Sequence, residues 1–219
     1  MKIYLASGNL NKKREMSEIF SEHTIVIPKE EGIDFNPEET GTDFYQNSMI
    51  KARALWDIVH CPVIADDSGI CVDALKGVPG VWSARYAGPD FHQGKPDGSK
   101  ISQDEQNRLL IEELNEAEKK GIDSEYFANG PRSAHYSCSM VLMINPSRFY
   151  IAQETMEGTL IDDIKDSRGQ NGFGYDPIFF LPQFSKTVAE ISPEQKNEIS
   201  HRGKACKIIK ENILWLSGN

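Results

Sequence analysis

The sequence predicts a mixed-sheet α/β protein, and the order of its hydrophobic patterns is the main reason. Short apolar segments with strand character alternate with amphipathic helical segments in the first sixty or so residues. Two longer alternating segments, joined by Asn145-Pro146-Ser147, predict an antiparallel hairpin in the second half. Interleaved strands and helices with one hairpin are typical of a sheet that contains both parallel and antiparallel strands.

The N-terminal elements follow from the spacing of apolar residues. The first three predicted elements are a strand, a helix and a second strand, over residues 2–6, 12–20 and 24–28. A surface loop is expected over residues 29–41, and Thr42 is the predicted N-cap of a helix over 43–59. The expected apolar face of that helix comprises Tyr45, Met49, Ala52, Trp56 and Val59.

Capping residues place the helices of the second half. Ser102 and Glu105 form an S-x-x-E box that predicts a helix through Leu110, Leu114 and Ala117. Two strands are expected at 134–144 and 149–155. A second capping box spans residues 192–195, with proline at the first helical position. The final predicted helix begins at Ser200 and uses Ala205, Ile209, Ile213 and Leu216.

Length and composition limit the class of protein. A chain of 219 residues can bury one large core, so one domain covering residues 1–219 is expected. The apolar N-terminal run ends too early for a signal peptide, and no apolar run matches the thickness of a bilayer. These features predict a cytoplasmic protein without a membrane partner. The four cysteines are widely spaced, which predicts reduced packing residues rather than a zinc site.

Charge argues against a nucleic acid polymer as partner. The formal net charge is −9 and the pI is near 5.1, whereas a duplex-binding protein needs a basic face. A small phosphate ester remains compatible with this charge, because a few lysines and a metal ion can neutralise one triphosphate locally.

The segment from Val63 to Gly69 carries the strongest chemical signal. An apolar strand is expected to deliver Asp66 and Asp67 to a sharp turn that Ser68 and Gly69 permit. Adjacent carboxylates repel each other and favour a hard cation such as Mg²⁺, whose remaining ligands are often substrate phosphates. A metal-phosphate enzyme is therefore the first hypothesis, and an ordinary Asp-rich turn is the alternative.

Two further segments offer groups that bind phosphate. Ser7, Gly8 and Asn9 lie between the first strand and the first helix, where backbone N–H groups and the Lys12 ammonium could converge on an anion. The segment matches neither a Walker A loop nor a dinucleotide fingerprint, so a simple turn with an N-cap is the alternative. Lys51 lies off the apolar face of its helix and could point across a cleft, although a lysine on a helix is more often simply solvated.

Acidic and aromatic segments add candidate ligands. Glu38 or Glu39 could bring another carboxylate to a metal ion held by the aspartates, or could belong to a solvated acidic loop. Phe173, Gly174 and Tyr175 alternate rings with glycine, so two rings could flank a nucleobase, or could instead fill the core.

The start of the last helix carries two basic side chains. His201 and Arg202 lie at a helix N-terminus, where the dipole disfavours cations, so an electronegative partner is expected there. Other enzyme classes lack their motifs, since the sequence contains no G-x-S-x-G elbow and no H-E-x-x-H pair. A serine hydrolase or a zinc protease is therefore not expected.

Together, these segments resemble the inosine triphosphate pyrophosphatase family. The matching segments, in chain order, are Ser7-Gly8-Asn9 with Lys12, Glu38-Glu39-Thr40-Gly41, Lys51-Ala52-Arg53, Ala65-Asp66-Asp67-Ser68-Gly69, Pro79-Gly80, Ser83-Ala84-Arg85-Tyr86, Phe173-Gly174-Tyr175-Asp176-Pro177, Lys196 and Ser200-His201-Arg202-Gly203. Each segment is weak evidence alone, but their common order covers nearly the whole chain.

The resemblance implies a fold, a reaction and an assembly. The implied fold is an elongated mixed β-sheet with flanking helices, in two lobes around a central nucleotide cleft. The implied reaction is the Mg²⁺-dependent hydrolysis of the non-standard purine nucleoside triphosphates ITP, dITP and XTP between the α and β phosphates. The products would be a nucleoside monophosphate and pyrophosphate. A homodimer is also implied.

The resemblance also implies roles for single residues. Asp67 would be the general base and a metal ligand, with Asp66 and either Glu38 or Glu39 completing the metal shell, while Lys12 and Lys51 would hold the phosphates. The implied substrate-binding residues are Ser7, Gly8, Asn9, Lys12, Ser68, Phe173, Gly174, Tyr175, Asp176, Lys196, His201 and Arg202. Of these, Phe173 and Tyr175 would lie against the purine, and the last four would lie at its edge.

Two alternative functions and one departure accompany the resemblance. The protein could instead be a pyrophosphatase for standard or modified pyrimidine triphosphates, or a nucleotide sensor that binds without turnover. Residues 87–131 form a longer polar region than compact members of the family have. Surface loops on both sides of a helix are expected there, including segments 91–96 and 123–127.

Overall fold

The computed structural model describes the backbone of residues 1–122, 127 and 129–216, and the side chains of these residues up to Ile213. Within this part of the chain, the strands are β1 (Lys2–Leu5), β2 (Thr24–Val26), β3 (Val63–Val72), β4 (Val78–Pro79), β5 (Ser133–Asn145), β6 (Arg148–Leu160), β7 (Phe179–Leu181) and β8 (Lys186–Thr187). The helices are α1 (Leu10–Ile19), α2 (Phe44–Val59), α3 (Gln103–Lys119), α4 (Pro193–Ile199) and α5 (His201–Leu216).

The strands form one mixed sheet. Their order is β2-β1-β3-β5-β6-β7-β8, and β4 pairs with β3. β1 is parallel to β2 and to β3, with Tyr4 opposite Val63, whereas β7 is antiparallel to both β6 and β8. The short link between β5 and β6 makes a hairpin, in which Ser147 N donates to Asn145 Oδ1 at 2.9 Å. The predicted mixed α/β fold is confirmed.

The contacts divide the chain into two units. The first comprises residues 1–68, 137–155 and the chain from Asn197 onward, and the second comprises residues 69–136 and 156–196. In the first unit, alternate strand residues enter two apolar clusters, as the two-residue period of a strand requires. Ile64 packs in one cluster with residues of α1 and α5, whereas Val63 and Ala65 pack in the other with residues of α2. The sheet of this unit therefore lies between α1 and α5 on one face and α2 on the other.

The core of the second unit centres on α3 and on aromatic residues. Leu110, Leu114, Tyr86 and Phe179 are fully buried. Tyr86 OH donates to a carboxylate oxygen of Glu113 on α3 at 2.7 Å, which satisfies its one polar group. This unit contains the longer polar region. Residues 89–102 there form neither helix nor strand and are mostly exposed, as predicted, and the expectation for 123–126 falls outside the described residues.

The capping side chain determines the residue at which each of the first two helices begins. α1 begins at Leu10 because Asn9 Oδ1 accepts from the N–H groups of Asn11 and Lys12. The prediction that Thr42 caps α2 is wrong, because the Asp43 carboxylate accepts from Gln46 N at 2.7 Å.

The predicted apolar face of α2 is correct only in part. Met49 and Ala52 are buried, and Trp56 and Val59 pack against the same cluster. Tyr45, in contrast, is 38% exposed. The helical phase buries Leu55 instead, so the core-facing stripe is rotated from the one predicted.

The other predicted caps are present, the first of them in part. Ser102 Oγ accepts from Glu105 N at 3.2 Å, but the Glu105 carboxylate accepts from Arg108, so the box at Ser102 is half formed. Ser192 and Gln195 exchange two side-chain to backbone hydrogen bonds at 3.2 and 3.3 Å, which is a full capping box. Ser200 Oγ accepts from Gly203 N at the start of α5. The predicted core residues of α5 are fully buried up to Ile213, and the side chain of Leu216 falls outside the described part.

Two whole-chain expectations concern membranes and cysteines. None of the helices described here is both long and apolar enough to cross a bilayer. The four cysteines are free thiols, and Cys71, Cys138 and Cys206 are buried. Burial raises the pKa of Cys138 to about 12, which keeps the thiol protonated. The cysteines are packing residues, as predicted.

Candidate active site

Asp66 and Asp67 lie inside a strand. β3 runs on from Val63 to Val72, so the prediction of a sharp turn at Ser68 and Gly69 is wrong. Gly69 serves a different purpose, because a Cβ at that position would overlap the carbonyl oxygen of Gly80 and the hydroxyl of Ser83. The glycine permits a close backbone approach rather than a reversal of the chain.

The two carboxylates face opposite sides of the sheet. Asp66 is two residues from Ile64 and therefore shares its face with α1 and α5. Asp67 is two residues from Ala65 and faces α2. Each carboxylate meets its own cation, and the repulsion expected between adjacent aspartates is relieved by two separate ion pairs rather than by one shared ion.

Asp66 is the centre of a buried ionic network. Its Oδ2 atom lies 2.8 Å from Lys12 Nζ and 3.2 Å from Arg202 Nε, and the residue is only 1% exposed. Burial by itself raises the pKa of this carboxyl group, but the charges of Lys12 and Arg202 outweigh it and hold the pKa well below its usual range. Its Oδ1 atom is buried and has no hydrogen-bond partner among the described residues.

Arg202 connects three groups of the first unit. Besides Asp66, it donates to Glu15 Oε2 at 2.6 Å and to Ser68 Oγ at 2.9 Å, and it is 3% exposed. The electronegative partner expected at the start of α5 is therefore present. His201, next to it, is 5% exposed. The roles predicted for His201 and Arg202 at the edge of a purine remain predictions.

Sequence reasoning missed Glu15. It lies one helical turn after Lys12 on α1 and is 7% exposed, and acids buried to this extent are normally paired with a cation. The signal that would have found it is its helical spacing: Glu15, Met16 and Lys12 share one side of α1, and Met16 is fully buried. An acidic residue beside a core position calls for a buried cation, and Arg202 is that cation.

Asp67 is held between two residues of α2. Lys51 Nζ lies 2.9 Å from its Oδ1 atom, and Asn47 Nδ2 donates to its Oδ2 atom at 3.3 Å. Asp67 is 8% exposed, and burial raises the pKa of its carboxyl group although Lys51 and Lys12 act in the opposite direction. The carboxylate is consequently a stronger base than an exposed aspartate. Asn47 was not among the predicted site residues.

Lys51 is a buried cation, not a solvated one. It is 7% exposed, and burial lowers its pKa, but Asp67, Asp66 and Glu39 outweigh the burial and raise it overall. Lys51 Nζ lies 3.6 Å from Glu39 Oε1. Glu38 is exposed, whereas Glu39 is half-buried, so Glu39 is the acid of this pair that turns toward Asp67 and Lys51.

The predicted metal ligands are not preassembled. In the described part of the chain, no group of three or more His, Cys, Asp or Glu side chains is arranged to hold a metal ion. Glu39 and Asp67 are brought together through Lys51, while Asp66 lies on the opposite face of the sheet. The assignment of Glu38, Glu39, Asp66 and Asp67 to one metal ion remains a prediction.

The segment before α1 acts as a helix cap. Ser7 Oγ accepts from Asn9 N at 3.1 Å, and Asn9 Oδ1 accepts from two further N–H groups of α1. The N-cap interpretation is therefore correct for Asn9. Because its side chain already satisfies the N–H groups of Asn11 and Lys12, these donors are not free for an anion. The Lys12 ammonium is the cation that this segment brings to Asp66, and anion binding by Ser7, Gly8 and Asn9 remains a prediction.

A second cluster, in the second unit, surrounds Asp176. The carboxylate is 3% exposed, and its Oδ2 atom accepts from Lys196 Nζ and from Phe173 N, both at 2.7 Å. Its Oδ1 atom accepts from Tyr136 OH at 3.2 Å. Lys196 Nζ also lies 4.6 Å from the centroid of the half-buried Phe173 ring, which is a cation–π contact. Asp176 therefore fixes both an ammonium group and an aromatic ring.

Tyr175 supports this cluster from within the core. Its ring is 4% exposed, and its OH donates to the carbonyl oxygen of Ser83 at 2.8 Å. Gly174 has a φ of 67°, and Asn107 Nδ2 donates to its carbonyl oxygen at 3.3 Å. Of the two interpretations offered for this segment, Tyr175 therefore follows the one in which its ring fills the core. Its contact with a nucleobase remains a prediction. Phe173 is the ring of the pair that keeps exposed surface.

The fold and these clusters define a class of protein. A mixed α/β sheet carries buried carboxylates, each paired with lysine or arginine, and a separate aromatic cluster carries another buried lysine and aspartate. Buried ionisable groups with shifted pKa values are concentrated at functional sites, and lysine ammonium groups commonly bind phosphate, so the arrangement indicates an enzyme that acts on phosphate compounds.

Comparison with known proteins gives the family. The family model described as Ham1 family matches residues 3–212, and the chain belongs to the Ham1 family. A dITP/XTP pyrophosphatase of Treponema denticola is 51% identical over 205 residues, which cover 94% of each chain. A dITP/XTP pyrophosphatase of Leptospira interrogans is 42% identical over 92% of this chain and 91% of the relative. The resemblance seen in the sequence is confirmed.

Solved structures agree with the fold. The structure of a HAM1 protein from Coxiella burnetii is similar with a TM-score of 0.79 and 35% identity, covering 98% of each chain. A nucleoside-triphosphatase / dITP/XTP pyrophosphatase from Mycobacterium abscessus gives a TM-score of 0.68 at 31% identity, over 95% of this chain and 98% of the other. The Ham1-type mixed α/β fold is thereby shown for this protein.

Proposed function

We propose that this protein hydrolyses the non-standard purine nucleoside triphosphates ITP, dITP and XTP to a nucleoside monophosphate and pyrophosphate. Membership of the Ham1 family and the pyrophosphatase names of its relatives support this activity. The observation that carries the proposal is Asp67, a buried carboxylate with a raised pKa, fixed by Lys51 on one oxygen and Asn47 on the other. Such a group is suited to accept a proton from an attacking water molecule.

Asp67 and the two lysines have different proposed roles toward the triphosphate. In the proposed reaction Asp67 orients water and takes its proton, while Lys51, which lies 2.9 Å from Asp67, holds a phosphate beside the base. Lys12 supplies the second ammonium group, and Asp66 and Arg202 hold that part of the network in place. Positioning of this kind can contribute a large share of the rate of phosphoryl chemistry, because little covalent work is required of the protein.

The donor set around Asp67 fits a magnesium ion. Mg²⁺ prefers carboxylate oxygens and commonly takes only one or two of them, with water and substrate phosphates completing its shell. Asp67 and Glu39, which share Lys51, are the residues that would hold it. A site of this kind does not require three or more acids, and no such cluster is present among the described residues. When bound, Mg²⁺ would neutralise charge on the phosphates.

The cluster around Asp176 is assigned to the base. Phe173 offers an aromatic face for stacking, and Lys196 offers an ammonium donor fixed by Asp176. Hypoxanthine and xanthine carry an acceptor oxygen at position six, whereas adenine carries an amino donor there. An unmet polar group costs about 1–3 kcal/mol, which is roughly a 5- to 150-fold discrimination against ATP.

A substrate panel tests the proposal. The wild-type protein and an Asp67→Asn variant are incubated with Mg²⁺ and separately with ITP, XTP, dITP, GTP, ATP and UTP, and monophosphate, pyrophosphate and orthophosphate are measured. We expect monophosphate and pyrophosphate from ITP, XTP and dITP, and a loss of roughly 10²- to 10⁴-fold in the variant. Asp73→Asn, an acid on the same chain segment that pairs with His135, is the matched control and should retain activity.

The same panel separates the alternatives. Preference for UTP would favour a pyrimidine triphosphate pyrophosphatase, and orthophosphate without pyrophosphate would move the cleavage to the γ phosphate. If ITP raised the melting temperature but gave no product, a nucleotide sensor would be the better description.

The assembly is proposed from the resemblance. One domain over residues 1–219 is expected to unfold in a single transition. Two such chains are expected to form a homodimer in the cytoplasm. The free, buried cysteines suit a reducing compartment. Light scattering after size-exclusion chromatography would measure the mass, and a value near 24.6 kDa would contradict the dimer.

A further inference from the structure

One side chain of α2, that of Asn47, connects the loop that carries Glu39 to Asp67. Asn47 Oδ1 accepts from the backbone N–H of Gly41 at 2.8 Å, and Asn47 Nδ2 donates to Asp67 Oδ2 at 3.3 Å. Gly41 N–H can only donate and an ionised Asp67 can only accept, so the two partners fix the orientation of the amide. Asn47 is 3% exposed, which leaves water little access to either bond.

Lys51 makes a second connection of the same kind. It lies one helical turn after Asn47, on the same face of α2, and bridges Asp67 Oδ1 to Glu39 at 2.9 and 3.6 Å. The carboxylate of Asp67 therefore has one donor on each oxygen, and both donors also contact the segment from Glu39 to Gly41. The amide bridge is neutral and the ammonium bridge is charged.

Gly41 is required for the amide bridge. A Cβ at this position would lie 2.6 Å from Asn47 Oδ1 and 2.9 Å from Asn47 N, closer than non-bonded atoms approach. Only glycine lets the loop backbone come this near to the helix.

We infer that Asn47 is a positioning residue, which holds the Glu39 loop and the Asp67 carboxylate in one rigid arrangement. The inference rests on the proposed function for its kinetic consequence, but the contact itself can be tested without turnover. The reaction needs Asp67 aimed at water while Glu39 stays beside it, and a displacement of about 1 Å in such a site can cost roughly 100-fold in rate. Asn47 supplies the alignment because it bonds to both parts through one planar amide.

Three variants separate the two halves of the bridge. Asn47→Asp keeps an acceptor for Gly41 N–H but replaces the donor to Asp67 by a carboxylate oxygen that repels Asp67. Asn47→Ala removes both bonds without adding a charge. Gln46→Ala is the matched control. Gln46 lies next to Asn47 on α2, and its Oε1 atom accepts from the backbone N–H of Thr42, next to Gly41, at 3.1 Å. Gln46 is exposed and is bonded to Asp43 and Thr42.

Amide hydrogen exchange of the protein without metal or nucleotide is the first measurement. We expect the Gly41 amide to exchange at least tenfold faster in Asn47→Ala than in the wild-type protein. It should stay protected in Asn47→Asp and in Gln46→Ala, and in Gln46→Ala the Thr42 amide should exchange faster instead. Steady-state kinetics with ITP is the second measurement. We expect kcat to fall roughly 10- to 100-fold in Asn47→Asp with KM within about twofold, and both kcat and KM to worsen in Asn47→Ala.

Two results would overturn the inference. Unchanged Gly41 exchange in Asn47→Ala would show that the amide bridge does not hold the loop. Equal kcat in Asn47→Asp and Gln46→Ala would show that alignment of Asp67 does not depend on Asn47. If Asn47→Ala does not fold, Asn47→Asp carries the kinetic test alone. Failure of the proposed function is recognised separately, because the wild-type protein would then give no pyrophosphate.

Discussion

Asp66→Asn is the substitution that tests the buried ionic network most directly. It keeps the shape of the side chain but removes a negative charge that lies 2.8 Å from Lys12 Nζ and 3.2 Å from Arg202 Nε. The side chain of Asp66 has no exposed surface, and the side chains of Lys12 and Arg202 are 14% and 4% exposed. The substitution therefore leaves two poorly solvated cations with one fewer counter-ion, although Arg202 retains its ion pair with Glu15.

The magnitude follows from the burial. Removing one partner of a buried ion pair costs about 3–5 kcal/mol, since the remaining charge is left uncompensated. For a chain of this size, 1 kcal/mol corresponds to a shift of about 2–4 °C, so the melting temperature should fall by roughly 6–20 °C. Urea denaturation at pH 7 measures the free energy directly. Glu105→Gln, which breaks an exposed ion pair with Arg108, is the control and should leave the midpoint nearly unchanged.

The pH dependence gives a second check on the same variant. The pKa of Asp66 is lower in the folded protein than its ordinary value of 3.8. Such a group contributes stability that is present above the unfolded pKa and is lost as the pH falls through the folded pKa. The difference between wild type and Asp66→Asn should thus be constant near neutrality and shrink in acid below about pH 4. A difference below about 1 kcal/mol at pH 7, or one that grows in acid, would refute the reasoning.

Three further predictions concern the base, a helix junction and the second cluster. Because burial raises the pKa of Asp67, its carboxyl group should titrate above 3.8 in the protein without metal or nucleotide, and an NMR titration that gives a value at or below 3.8 would contradict the assignment. Gly203→Ala should lower the free energy of unfolding by about 1–3 kcal/mol, since its Cβ would overlap the carbonyl oxygen of Asn197 and lie 2.7 Å from the carbon, and an unchanged urea midpoint would disprove the contact. Lys196→Met should cost about 3–5 kcal/mol because it leaves Asp176 without its buried cation, and a neutral effect in the same assay would count against the pair.

Local signals in the sequence located most of the fold. The caps at Ser102 and Ser192 act through residues three positions apart, so they form wherever the helix forms. Apolar spacing likewise located α5, whose predicted core positions are buried. The same local signals predicted Thr42 rather than Asp43 as the cap of α2. Threonine and aspartate both cap helices, so their order in the sequence does not decide between them, and only the backbone geometry does.

The sequence predicted which residues belong to the site, but not which of them contact one another. The residue types and order around Asp66 and Asp67 were sufficient to indicate carboxylate and lysine chemistry. The sequence did not indicate that the strand continues past Gly69, because the far end of β3 pairs with Val78 and Pro79 of β4, which lie further along the chain. Asn47 was overlooked because its partner, Asp67, lies far along the chain. The helical spacing of Glu15 beside the buried Met16 was a usable signal, but it does not identify Arg202 as the partner.

The sequence by itself determined the α/β class, the family and the candidate acids and lysines of this protein, because these depend on residue type, local spacing and order. Only the tertiary structure decided which charges meet. The two-residue period of β3 sends Asp66 toward Lys12 and Arg202 and sends Asp67 toward Lys51 and Asn47. Burial then holds the pKa of Asp66 low beside two cations and raises that of Asp67, so two adjacent aspartates acquire different chemistry from the surfaces against which they pack.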